Sequence, residues 1–187
     1  MALTLPGHNA PAVGFEVPLE MLAACHGRVQ HQCETLLRLV AHVQTYGADR
    51  PAQEAAGAVM RYFDTAARHH HEDEEQELFP ALLNSMAGSD AVCLHELTAS
   101  LCSDHRLLEQ RWLALRQRLL QVTEGAASTL ADADVPGFVQ LYEQHIAREE
   151  AELLPMAARL LIDAELDRIG LAMRSRRGVT GATAPQA

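Results

Sequence analysis

At 187 residues, 48% of them hydrophobic but only 4% aromatic, the chain has the length of one ordinary domain and must build its core from Leu, Ala and Val. That composition favours packed helices over a sheet, which draws on more Tyr, Phe and Ile. A formal charge of -10 sets the chain against phosphate backbones, so nucleic acid is not an expected partner.

The first fifteen residues, with Pro6, Gly7, Pro11 and Gly14, carry no basic n-region and no apolar run of signal-peptide length. They read as an extended arm on a cytoplasmic protein. Pro18 suits a first helical turn. Leu22, His26, Val29, Cys33, Leu36, Leu37 and Val40 then follow a helical apolar stripe as far as a stop at Gly47. Asp49 and Pro51 restart the chain, and a second pattern runs through Val59, Phe63, Ala66, His70 and Glu74 towards Met86. A break at 88–90 puts Asp90 in place to cap a third helix. Its stripe is Leu94, Leu97, Leu101, His105, Leu108, Trp112, Leu115 and Leu119. After "EGAAS", Asp134 and Pro136 open a fourth helix carrying Phe138, Leu141, His145, Glu149, Glu152, Leu153 and Met156. "DAELDRIGLAMRSRR" predicts a short last helix before a low-complexity tail.

No alternation is long enough for a strand, and no window approaches the roughly eighteen apolar residues of a membrane span. The expected organisation is all-α. An arm over 1–17 leads into an up-down-up-down four-helix bundle over 18–162, followed by a short helix and flexible tail over 163–187. Cys25, Cys33, Cys93 and Cys102 form no CxxC pair and are expected as buried small hydrophobes in a reducing compartment.

Ten histidines need a chemical reason. "HHEDEEQELFP" from His70 and "HIAREEAELLP" from His145 agree at six of eleven positions. In each half, a helix with one His on its apolar stripe (His26, His105) precedes a helix with an HxxxE motif, as if the halves were related by a twofold axis. Residues four apart lie about 40° apart on a helix, so His70 pairs with Glu74 and His145 with Glu149. With His26 and His105, all six should converge inside the bundle. A lone buried His is more often a hydrogen-bonded core residue, and a lone HxxxE is usually a solvated pair. Here the motif recurs with a matching Leu-x-Pro and two partner histidines. Buried without a partner, each of these groups would cost a few kcal/mol or more. A cation removes that cost. Four His and two Glu exceed the needs of one tetrahedral zinc and suit two iron ions, spanned by both carboxylates and a solvent-derived oxygen.

His71 with Glu75 is a rival register. Anchoring on Pro80 and Pro155 aligns His70 with His145 and leaves His71 opposite Ile146. Glu75 and Glu150 then fall well round the helix, as solvated or ligand-orienting groups. Glu77 and Glu152 are expected back on the inner face, and each proline is expected to kink or stop its helix. His8, His31, His42, His69 and His95 read as surface residues.

In this order, "CHGRV", "HHEDEEQELFP", "DHRLLEQRW" and "HIAREEAELLP" resemble the haemerythrin family, in particular its HHE cation-binding branch, over residues 18–162. The resemblance implies a non-haem di-iron centre with an oxo or hydroxo bridge. Its ligands would be His26, His70, Glu74, His105, His145 and Glu149, with the two Glu bridging. Manganese or zinc would fit the same donors. Oxygen carriers of the family place two histidines one turn apart on the third helix. Here the positions flanking His105 are Leu101 and Glu109, so the fifth imidazole is missing and its place falls to Glu109 or water. Glu149 also stands one turn after its His, where the carriers use a later Asp. The resemblance therefore implies binding of or reaction with O₂, peroxide or nitric oxide rather than reversible carriage. The alternative is an iron-, oxygen- or redox-sensing or metal-holding module without turnover. Ferritin-type Glu-x-x-His and protease-type HExxH do not occur. Turnover and assembly, a homodimer included, are left open.

Overall fold

The computed structural model describes residues 14–85, 90–126, 130 and 135–179. Pro18 opens α1 (Pro18–Tyr46), and Gly47 ends it at φ 74°, a left-handed conformation that strains any residue with a Cβ. The Asp49 carboxylate accepts from the Ala52 N–H at 3.0 Å and so caps α2 (Arg50–Tyr62). The second rod continues without interruption through π1 (Phe63–Ala67), α3 (Arg68–Asp73), π2 (Glu74–Leu78) and α4 (Phe79–Ser85). The third rod is α5 (Asp90–Thr123). The fourth joins α6 (Val135–Arg148), π3 (Glu149–Leu153) and α7 (Leu154–Leu160), and α8 (Asp163–Arg176) follows. Met86, Asp134, His8 and the side chain of Asp90 lie outside the described residues.

Each rod packs against two neighbours: α1 on α2 and α6, α5 on α2 and α6. This closes the expected four-helix ring, and no strand occurs among the described residues. Two apolar clusters fill it. One gathers Val29, Leu36, Phe63, Trp112, Leu119 and Phe138. The other gathers Leu22, Leu78, Leu82, Leu101, Leu153 and Ile169. Each fully buried Leu or Phe stabilises the fold by about 1.5–3 kcal/mol. The predicted His and Glu side chains belong to neither cluster.

The α1 stripe runs on through Leu36, Leu39 and Val43, whereas Leu37 is exposed and Val40 only half-buried. From Cys33, the buried spacing of three and four residues passes Leu37 by one position. On the second rod Ala67, not Ala66, is buried. The i→i+5 bonding of π1 takes up one extra residue and carries the next ones round.

The same device overturns the kink expected at the prolines. Phe79 N–H bonds Glu74 O and Leu154 N–H bonds Glu149 O, both i→i+5. A proline in a regular helix collides with the carbonyl four residues back. For Pro80 and Pro155 those carbonyls belong to Gln76 and Ala151, which lie within π2 and π3. The widened turn accommodates each ring, and the rod runs on. It also rotates Glu77 and Glu152 off the inner face, contrary to expectation. Leu78 and Leu153 are fully buried there instead, Glu152 is exposed, and Glu77 pairs with Arg168 at 2.6 Å.

Helix α8 packs across α1, α3 and π2, burying Ile169 and Met173. Its C-terminal end clamps Asp73, which is fully buried, between Arg176 and Arg177, the latter at 2.6 Å. Among the described residues no helix is long and apolar enough to cross a membrane.

Candidate metal centre

All six side chains singled out from the sequence meet between the two apolar clusters, each no more than 2% exposed. Two donor sets form. His26, His70, Glu74 and Glu149 make one; Glu74, His105, His145 and Glu149 make the other. In each set the donor atoms lie within 4.8 Å of one another, and both carboxylates belong to both sets. Glu149 stands 3.1 Å from His26 Nε2 and 3.0 Å from His145 Nε2. Glu74 stands 3.4 Å from His70 Nε2 and 3.4 Å from His105 Nε2.

The local helix pattern explains the convergence. Each HxxxE pair sits one turn apart, and the π turn begins at its Glu, so the carboxylate and the buried Leu four residues on both face inward. Glu75 and Glu150, one residue further round, reach outward to the neighbouring rod. Glu75 Oε1 lies 2.8 Å from His105 Nδ1, and Glu150 Oε1 lies 3.1 Å from His26 Nδ1. Of the two readings open for these acids, the orienting one fits. Asp104 does the same for His145 Nδ1 at 3.4 Å and is itself held by Arg148. Sequence reasoning missed Asp104, although its place beside His105 was the signal. A carboxylate on Nδ1 fixes the ring so that Nε2 faces the cluster.

His71 is a correction to the sequence reading. It was set aside because it aligns with Ile146, yet its ring stacks on His105 at 4.0 Å between centroids and 11° between planes. Its donor atom joins those of His105 and His145 within 4.8 Å. Glu109, the expected stand-in for the missing imidazole, is exposed and belongs to no donor set among the described residues.

Burial raises the Glu74 carboxyl to about 7, and the neighbouring Glu149 charge adds to the rise. Glu149 is pulled the other way: burial opposes ionisation, but His105, His145 and His26 outweigh it and hold the carboxyl well below its usual range. Burial depresses His105 too, yet Glu149, Glu74 and Glu75 prevail and lift it to about 10. His26 is raised despite burial, by Glu149 first. Burial keeps His70 and His71 neutral.

Seven buried side-chain atoms lack a hydrogen-bond partner: His26 Nε2, His70 Nδ1, His71 Nε2 and both oxygens of Glu74 and of Glu149. All belong to this one cluster. Buried polar atoms are normally paired, and imidazole nitrogens with carboxylate oxygens are a donor set for a divalent cation. The residues fit metal ions.

A groove of about 500 Å³ between the second rod and α5 leads to the cluster, with His71, His105 and Tyr142 among its lining. Elsewhere, Cys25 and Cys33 are buried as expected, but Cys93 is exposed and Cys102 half-buried. Burial pushes the Cys33 thiol up to about 12, which makes it inert. His95 is exposed, and His31, His42 and His69 are half-buried.

A helical bundle whose mid-section is a layer of buried His and carboxylate donors defines a class, the cation-binding four-helix proteins. The sequence matches the Hemerythrin HHE cation binding domain over residues 17–157, and the chain belongs to that family. It is also 31% identical over 162 residues to an uncharacterized protein of Haemophilus influenzae, a match covering 87% of this chain and 91% of the relative.

Proposed function

We propose that the protein holds two iron ions at this centre and binds or reacts with a small molecule there: O₂, peroxide or nitric oxide. The observation that carries the reading is the pair of four-donor sets sharing Glu74 and Glu149. Two carboxylates common to both sets are suited to bridge two cations, and two imidazoles remain for each. Iron at such positions supplies one-electron redox chemistry and open coordination sites.

The chain's own residues do the rest. Glu75, Glu150 and Asp104 hold three imidazole rings in the binding tautomer. The apolar clusters on either side keep bulk water from the centre. The groove beside His71 gives a small molecule a route in.

One observation favours the sensing alternative. Asp73, between His70 and Glu74 in the chain, is gripped by Arg176 and Arg177 of the α8 end, so a shift of the second rod would reach α8.

Anaerobic loading with ferrous iron tests the reading. Two irons per chain and a visible charge-transfer band after oxidation are expected. His70→Ala and His145→Ala should each lose most of the iron, and His31→Ala should keep it; equal iron in all three refutes the ligand assignment. Catalytic consumption of peroxide or nitric oxide under a reductant marks an enzyme, whereas stoichiometric binding with a change at α8 marks the sensor.

A further inference from the structure

The two halves of the centre are alike in the six donors but not in what surrounds them. The twofold that pairs His70 with His145 also pairs His71 with Ile146. Ile146 is 2% exposed and offers only hydrocarbon. His71 offers a nitrogen to the His105–His145 side, and nothing on the opposite side replaces it.

Resting on the di-iron reading above, we propose that His71 Nε2 is a seventh ligand, a third imidazole for the position held by His105, His145, Glu74 and Glu149. The centre is then asymmetric, with five protein donors on one position and four on the other. The exogenous small molecule is directed to the less saturated position, that of His26 and His70.

Three observations support this. His71 Nε2 is buried and unpartnered, which costs about 1–3 kcal/mol in a ring retained only for packing. Phe would stack on His105 and line the groove as well. Next, the donor atoms of His71, His105 and His145 lie within 4.8 Å of one another. Donors sharing one ion at about 2.1 Å can be at most about 4.2 Å apart. Small side-chain rotations close that gap. Finally, His71 is at the groove floor beside His105. It therefore occupies the approach to this position from the groove side.

The test uses the full chain loaded with ⁵⁷Fe and oxidised. Wild type should give two Mössbauer quadrupole doublets of equal area and bind one azide per centre. His71→Phe keeps the stacked ring and removes the nitrogen, while His71→Ile copies the other half. In both, the doublets should converge and azide should bind twice per centre, or the second iron should bind at least tenfold more weakly. Two irons with an unchanged pair of doublets in His71→Phe would overturn the proposal and leave His71 a packing residue. So would a single doublet in wild type. If wild type takes up no iron, the di-iron reading itself fails, which is a different result. A measurement independent of any variant is a crystal of iron-loaded wild type. His71 Nε2 should then lie within about 2.3 Å of one iron, and a separation beyond 3 Å refutes the assignment.

Discussion

Glu74→Leu should have opposite effects on stability with and without metal. Glu74 is fully buried, and neither carboxylate oxygen has a hydrogen-bond partner. Its nearest polar neighbours are His70 and His105, each at 3.4 Å. Burying a polar group without a hydrogen bond costs roughly 2–4 kcal/mol, and two nearby imidazoles offset part of that, leaving about 2 kcal/mol. Leu keeps the helix, and its side chain would face the apolar residues on either side. Unfolding entropy is about 2.1 cal/mol/K per residue, or roughly 0.4 kcal/mol/K for 187 residues. The substitution should therefore raise Tm by about 5 °C in EDTA. Ferrous iron at about a hundredfold over its Kd stabilises wild type by about 2.7 kcal/mol, or some 7 °C. The variant, short of a bridging ligand, should gain far less. Circular dichroism melts under argon, with EDTA and with iron, read both numbers. A Tm in EDTA that falls by several degrees would refute the reasoning. The cluster would then be a polar network that stabilises the fold unaided, not one that needs a cation.

Metal affinity should rise with pH. His105 must lose its proton to bind, and its value of about 10 means that proton is present at neutrality, so affinity should gain close to tenfold per pH unit between 7 and 9. Glu74, at about 7, adds a second competing proton below neutrality. Chelator competition at several pH values checks this, and a flat profile refutes it. In the metal-free protein the raised His105 value contributes stability that is fully present below the ordinary imidazole value, near 6.5, and is lost as pH rises through about 10. Asp73→Ala breaks a buried ion pair and leaves Arg176 and Arg177 without it, so it should cost about 3 kcal/mol in a denaturant melt; a loss under 1 kcal/mol would show that α8 is not held there. Glu75→Gln removes the carboxylate from His105 Nδ1 and should weaken iron binding about 10- to 100-fold, whereas Glu109→Gln should leave affinity and spectrum unchanged.

Much of the centre was legible because helical periodicity is a local rule. A His on an apolar stripe and a Glu one turn after a His face inward whatever the neighbouring rods do, so His26, His70, Glu74, His105, His145 and Glu149 could be named from spacing alone. The stripe of α5 was equally readable, since that helix is regular from Leu94 to Leu119. Errors begin where the helix ceases to be regular. Ala66 was chosen over Ala67 because a π turn intervenes, and Glu77 and Glu152 were placed inside for the same reason. A proline announces a disturbance in the hydrogen bonding. Whether the chain bends or widens at that point depends on the packing around it.

The sequence by itself determined an all-helical chain with two like halves and six inward-facing donors, because those features depend on repeat and pitch within single segments. The partners of the donors depended on contacts between rods. Glu75 meets His105 across 30 residues, Glu150 meets His26 across 124, and Asp104 meets His145 across 41. His71 is the sharpest case. Alignment of the halves set it opposite an isoleucine, but the neighbouring rod brings His105 against its ring. Periodicity says which way a side chain points, and only the packed bundle says what it meets.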